Sequence, residues 1–296
     1  MEKKILVPIT PSDVSKELIA RADIWGQRTG AELRFLHVRS IVNPLDINFT
    51  FSVIPIEQEQ EELTEYLKRL DIKSKYSINI RSGVIYSQII EEEQAFQPDL
   101  IMMAAHSHTI LARLFLGSNT DYVVHHSTCP VFVYRRKDQQ EKTSIIVPLD
   151  YSGINIEVIK FADDWANRTN SRINFIHVPT SPSEVKFSGD YVWIKDTAFE
   201  NDNRRSNDRI RNISLEEKQK LESYIEKQHI TAKYNTIIKF GKPYLEILNL
   251  QKEINAKWIM MATHSHTLLN RIFIGSNTDY LLHHSDATLY IYKKPE

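Results

Sequence analysis

Residues 3–38, KKILVPITPSDVSKELIARADIWGQRTGAELRFLHV, decide the architecture. Residues 4–9 are short and mostly apolar, with Pro8 near the end, and read as a buried strand. Ser12 is suited to cap a helix that runs to about Thr29. Leu18, Ala22 and Trp25 share one face of that helix, which makes Trp25 a core residue, and Gly30 suits its C-terminal stop. Residues 33–38, LRFLHV, form a second strand. A strand, a helix and a strand in succession imply a parallel pair joined by a right-handed crossover.

The same pattern continues outward. Residues 58–70 read as a charged helix with spaced leucines, 76–81 as a strand, 84–96 as a helix and 99–104 as a buried strand. After a loop come a helix at 118–126 and a closing strand at 131–134. Five strands with helices between them predict a doubly wound, Rossmann-like parallel sheet. In such sheets a ligand lies beyond the C-terminal strand ends, where the strand order reverses. The loops meeting that condition follow the first strand (9–12) and the fourth (105–117).

The whole pattern is written twice. Residues 143–178 match 3–38 at 14 of 36 positions, and residues 259–285 match 101–127 at 20 of 27. The offset is 140 residues in the first block and 158 in the second, so the second copy carries 18 extra residues. A repeat of this length is a whole domain and not a solenoid unit. Two domains are expected, 1–138 and 139–296, with an irregular insertion at about 179–213. That insertion is rich in arginine (Arg204, Arg205, Arg209, Arg211) and is a candidate lid or partner loop. Ser214 and Glu217 are spaced as a capping box before the charged helix of the second copy. Trp165, like Trp25, is read as core.

Composition excludes several classes. The chain has 42% hydrophobic and 25% charged residues and a net charge of −1, which gives no general attraction to nucleic acid or an anionic membrane. No apolar run approaches the roughly 20 residues of a membrane span. The start of the chain carries no signal-peptide pattern, and Cys129 is the single cysteine, so no internal disulfide forms. A cytoplasmic location is expected. Cys129, beside Pro130, reads as a small buried residue.

With these residues in place the chain resembles the universal stress protein family. The resemblance rests on Val7-Pro8, on His37-Val38 and on the ending GSNTDYVVHHSTCPVFVY (117–134), and it covers both copies. It implies two tandem domains, each with the five-stranded order 3-2-1-4-5. It also implies pairing of the final strands, 131–134 and 289–292, in an internal pseudo-dimer, with further homo-oligomers and an unknown protein partner open. Many family members bind ATP through G-x-x-G, nine residues and G-S/T. Here the last pair is present as Gly117-Ser118 and Gly275-Ser276, while Ala104, Ser107, Ala262 and Ser265 replace the first glycines. The family's acidic residue after the first strand is Thr10 in one copy and Asp150 in the other, so the second copy is the better candidate. Carried over residue by residue, the resemblance implies a cleft for ATP or AMP. It is lined by Pro8, Ile9, Thr10, Val38, Met103, Ala104, Ser107, Gly117, Ser118 and Asn119 in the first copy. In the second it is lined by Pro148, Leu149, Asp150, Val178, Met261, Ala262, Ser265, Gly275, Ser276 and Asn277.

Each glycine opens a helix whose N–H groups and dipole suit a phosphate. The competing role is capping, since Ser118 and Asp121 are spaced as a capping box. Arg113 and Arg271 stand four residues before the glycine and could reach a phosphate or pair with a carboxylate. His106 and His108, with His264 and His266, form H-S-H pairs that could meet one metal in an extended loop, but a transition metal needs more ligands than these. His125 and His126 face different directions on a helix. No nucleophile with its base, paired carboxylate or complete metal site is present. The expectation is a binding or sensing module, not an efficient enzyme, although slow ATP hydrolysis is compatible with the cleft. The alternatives are a nucleotide-free interaction scaffold and a divalent-metal binder.

Overall fold

The computed structural model describes residues 3–40, 55–105, 116–135, 144–179, 185–188, 191–194, 203–263, 266–268 and 271–294. The chain forms two compact units. One comprises Met1–Arg136 with His264–Ile274 and Lys293–Glu296, the other Lys137–Thr263 with Gly275–Tyr292.

In the first copy the elements run β1 (Lys4–Pro8), α1 (Asp13–Thr29), β2 (Glu32–Ser40), α2 (Ile56–Arg69), β3 (Tyr76–Gly83), α3 (Ile85–Phe96), β4 (Leu100–Ala104), α4 (Ser118–His126) and β5 (Val131–Tyr134). The strands lie in the order β3-β2-β1-β4-β5, and each pair is parallel. All residues of β4 and β5 are buried, as expected for strands covered on both faces. Ser12 caps α1, its hydroxyl accepting from Ser15 N (3.2 Å), and Gly30 ends the helix at φ 70°. Trp25 is half-buried and not core: it lies edge-on to Phe132, with centroids 6.1 Å apart.

The second copy repeats this with β6 (Ser144–Pro148), α5 (Asn155–Thr169), β7 (Arg172–His177), α6 (Asn203–Glu226), β10 (Tyr234–Ile238), α7 (Pro243–Glu253), β11 (Trp258–Thr263), α8 (Ser276–His284) and β14 (Thr288–Lys293). The strand order is β10-β7-β6-β11-β14. Two antiparallel strand pairs are also described, β8 (Val185–Ser188) with β9 (Tyr191–Ile194), and β12 (His266–Leu268) with β13 (Arg271–Phe273). Where the insertion is described it is regular and not irregular, with the β8–β9 pair and the first turns of α6, on which its arginines lie. Because α6 runs through Ser214, that residue is inside a helix and the expected capping box there is not formed. Trp165 is also half-buried, packed on Trp258 at 4.7 Å.

The copies differ in how they fill the space between β2 and α3. Glu92, 1% exposed, accepts from Arg34 Nη1 (3.0 Å), Asn79 Nδ2 (2.7 Å) and Arg81 Nε (2.8 Å). A buried carboxylate is tolerated when it is paired in this way. The second copy has buried Leu250 at the matching position and joins Asn174 to Asn235 (2.9 Å) instead.

An aspartate on the first helix of each copy holds the turn before the third strand. Asp23 Oδ1 accepts from Lys73 N (3.1 Å) and Ser74 N (2.8 Å), and Asp163 Oδ1 accepts from Thr231 N (3.0 Å) and Ala232 N (2.8 Å). This brings α1 close to Ser74. A Cβ on Gly26 would collide with Ser74 Oγ and would meet Ser74 Cβ at 2.8 Å. The second copy has Ala166 and Ala232 at these two places. Gly26→Ala is therefore expected to destabilise the protein by about 1–3 kcal/mol, the usual cost of overpacking. Adding Ser74→Ala should recover part of that loss, as read by urea unfolding; a double variant no more stable than the single would refute the contact.

Burial alone would raise the Asp23 carboxyl, but donors on Ser74, Lys73 and Gln27 outweigh it and hold it below the usual carboxylate range. A group depressed on folding stabilises above its unfolded pKa, about 3.9 for Asp, and that contribution fades as pH falls through the folded value. The stability of the parent over Asp23→Asn should be full at about pH 7 and shrink towards about pH 3. A difference independent of pH would contradict this.

Candidate functional site

The strand order reverses between β1 and β4 in the first copy and between β6 and β11 in the second, so each copy has a crevice beyond those strand ends. In the first copy Ile9, Met103 and Ala104, at or just past these strand ends, are buried and Thr10 is exposed. Ala104 O accepts from Thr120 Oγ1 (3.3 Å), which ties the start of α4 to the end of β4. The second copy has Leu149 and Met261 buried at the same places, with Ala262 half-buried and Asp150 exposed.

The capping box expected from Ser118 and Asp121 is not formed. Gly117 is the N-cap, Ser118 is already helical, and no side chain caps α4. Gly275 takes the same place before α8, again without a side-chain cap. Each helix start thus has its positive dipole end without a side-chain cap and carries one first-turn carboxylate, Asp121 in α4 and Asp279 in α8. The two glycines differ: Gly117 has φ −69°, which any residue adopts, whereas Gly275 has φ 73° and ψ 144°.

A second ring of residues surrounds the end of the second strand. His37 Nδ1 donates to Ile9 O (3.1 Å), and its Nε2 stands 3.1 Å from Glu59 Oε1. Arg39 Nε holds the other oxygen of Glu59 at 2.7 Å. Tyr66 OH on α2 donates to Ser12 O (3.2 Å). In the second copy His177 Nδ1 donates to Leu149 O (2.7 Å), Nε2 lies 3.8 Å from Glu217 Oε2, and Tyr224 OH donates to Ser152 O (3.1 Å). Asp150 is engaged by its own loop, its Oδ1 accepting from Ser152 N (3.0 Å) and from Asn155 Nδ2. Burial, with the nearby Asp150 charge, raises the Tyr224 hydroxyl and keeps it a donor.

The universal stress protein family model matches residues 1–135 and 143–293. The chain belongs to the universal stress protein family. Universal stress protein MJ0531 from Methanocaldococcus jannaschii is 27% identical over 151 residues, which are 47% of this chain and 85% of that protein. Universal stress protein A homolog 1 from Coxiella burnetii is 31% identical over 144 residues, 46% of this chain and 98% of that protein. Among solved structures, a universal stress protein from Archaeoglobus fulgidus aligns over 98% of both chains with a TM-score of 0.64 at 18% identity. The Pseudomonas aeruginosa protein PA1789 aligns over 99% of this chain and 93% of its own, with a TM-score of 0.72 at 15% identity. These two show a shared fold.

Within this universal stress protein the duplicated H-H pairs have a local role. Nδ1 of His125, His126, His283 and His284 each donates to the carbonyl four residues earlier, on Asp121, Tyr122, Asp279 and Tyr280, all at 2.8 Å. His126 also stacks on Tyr122 (3.7 Å) and His284 on Tyr280 (3.9 Å). Cys129 is buried, and burial with the Glu93 charge pushes its thiol well above the ordinary range, so it is not a reactive thiolate. His106, Ser107, His108, Arg113, His264 and Ser265 lie outside the described residues; His266 and Arg271 are described only as backbone in β12 and β13. Among the described residues no helix is long and apolar enough to cross a membrane.

The partners Glu59, Tyr66 and Tyr224 escaped the sequence reading, and Glu217 was read only as part of a cap and not as the neighbour of His177. Their signal was available: the offset of 158 extends back into the charged helix and sets Glu59 on Glu217 and Tyr66 on Tyr224.

The two glycines separate in a simple experiment. A side chain at a φ and ψ that glycine alone adopts easily costs about 1–3 kcal/mol. Gly275→Ala should lower stability by about that amount, while Gly117→Ala should change it by less than about 0.5 kcal/mol. Equal effects in thermal unfolding would refute the difference in backbone.

Proposed function

We propose that this universal stress protein binds an adenine nucleotide, ATP or AMP, in one or both crevices, and acts as a binding or sensing module. The observation that carries the reading is the pair of glycine-led helix starts with no side-chain cap, at the topological switch point of each sheet. A nucleotide phosphate is a fitting partner for the N–H groups and dipole there. Pro8, Ile9 and Val38 in one copy, and Pro148, Leu149 and Val178 in the other, lie at strand ends where a nucleoside would rest. Alanine at 104 and 262 adds only a methyl group. It narrows the approach of a phosphate without filling the crevice. Asp150 gives the second copy an acceptor for the nucleoside at the expense of its turn bonds to Ser152 and Asn155.

The test is to denature the purified protein, identify released small molecules by mass spectrometry, and titrate the apo protein with ATP and AMP by calorimetry. Gly275→Val should weaken the second-copy site at least tenfold, because the branched side chain both forbids the backbone and blocks the phosphate approach. No released nucleotide and no heat at millimolar ATP would leave the nucleotide-free scaffold as the function. Unchanged affinity in Gly275→Val would remove that site.

A further inference from the structure

The second copy has a hollow beside its charged helix. It has a volume of about 620 Å³ and is lined by Tyr151, Glu216, Gln219, Lys220, Ser223, Tyr224 and Lys227. None of these is among the residues assigned to the nucleotide cleft, although Tyr151 follows Asp150 and Tyr224 ties the loop beside it. Six lie along one face of α6 or just past its end, and Tyr151 closes the hollow from the turn after β6.

Three independent features set this hollow apart. The first is backbone strain at Tyr151, whose φ is 63°. Six non-glycine residues have positive φ among those described. Five fall where the other copy has positive φ too: Asp71 with His229, Gln97 with Asn255, and Asn170 with Gly30. Tyr151 stands alone, since its counterpart is Pro11, whose ring fixes φ negative. A bulky residue in this region costs energy and persists only when its surroundings hold it, as happens at ligand clamps.

The second feature is how the ring is held. Tyr151 packs on His177 (centroids 4.3 Å, 39°) and stands edge-on to Tyr224 (5.5 Å, 70°). Its hydroxyl donates to Glu217 O (3.4 Å), and burial together with the Glu217 charge keeps it protonated. Tyr151 and Tyr224 thus make a fixed aromatic corner on the wall of the hollow.

The third feature is charge. Across the same helix face the first copy has Gln58, Glu61, Glu62, Glu65 and Arg69, where the second has Glu216, Gln219, Lys220, Ser223 and Lys227. The underlying helix is unchanged: Leu63 and its counterpart Leu221 are buried alike, and so are Leu67 and its counterpart Ile225. The acidic face of one copy has become a neutral-to-basic face in the other.

The geometry points to a second ligand site in this hollow, for a planar aromatic molecule carrying a phosphate or carboxylate. The ring would lie against the Tyr151–Tyr224 corner, and the anion would be drawn by Lys220 and Lys227, the former now paired with Glu217 Oε1 at 2.8 Å. Stacking supplies contact area that any flat ring shares, and the lysines supply the preference for an anion. The hollow is open to solvent along the helix face, so a bound ring would keep one side in water.

Flavin mononucleotide is a suitable probe, because stacking on tyrosine quenches its fluorescence; riboflavin, which lacks the phosphate, is its control. Saturable quenching by the mononucleotide is expected, with weaker binding of riboflavin and affinity that falls with salt for the mononucleotide alone. Tyr151→Asn keeps a residue that accepts positive φ while removing the ring, and should weaken binding at least tenfold. Lys220→Glu with Lys227→Glu should do the same, and serves if the first variant folds poorly. Gly275→Val should leave this binding unchanged, whatever it does to ATP. Absence of saturable quenching, unaltered affinity in both the Tyr151 and the lysine variants, or loss of binding in Gly275→Val would each overturn the proposal.

Discussion

One hydrogen bond organises the functional edge of each sheet: a histidine at the end of the second strand reaches the carbonyl just beyond the first, His37 to Ile9 and His177 to Leu149. In a parallel sheet the strand ends are where backbone pairing stops and orphaned carbonyls begin. The imidazole satisfies one of these carbonyls and with its other nitrogen addresses a glutamate on the following helix. The first strand, the second strand and the charged helix are thereby fixed together at the crevice. The tyrosines on that helix, Tyr66 and Tyr224, add a second tie to the loop after the first strand. The site is thus framed by side chains that do not themselves belong to the nucleotide motif.

Much of the fold was legible because it depends on period and punctuation. Alternating strand and helix patterns, Ser12 before α1 and Gly30 after it are local signals, and local signals survive reading in one dimension. The failures were those of competition between local rules and context. Ser118 and Asp121 have the right spacing for a cap, yet the glycine before them takes the cap position. Ser214 and Glu217 have it too, yet the helix had begun eleven residues earlier, at Asn203. Trp25 and Trp165 lie on apolar helix faces, but at positions where a large ring is only half-buried.

The candidate site was legible in part. Strand ends, Gly117 and Gly275 follow from chain order and residue type. The partners of His37 and His177 come from a helix some twenty to forty residues away, and only the fold brings them together. In the most conspicuous duplicated feature, the H-H pair, each ring binds a carbonyl on its own helix turn. A polar residue kept in both copies of a repeat can thus serve the helix that carries it.

The pairing of Gly26 with Ser74, and of Ala166 with Ala232, has a bearing on how the two halves can change. Each pair is a matched set: the first half joins the smallest residue on the helix, Gly26, to a serine on the turn, and the second half has alanine at both places. Exchange of whole segments between the halves would be asymmetric. The helix of the first half, moved to the second, would leave a small gap; the helix of the second half, moved to the first, would collide with a serine. Once such matched sets have formed, the halves of a duplicated chain are no longer interchangeable parts, and recombination between them is restrained in one direction more than in the other.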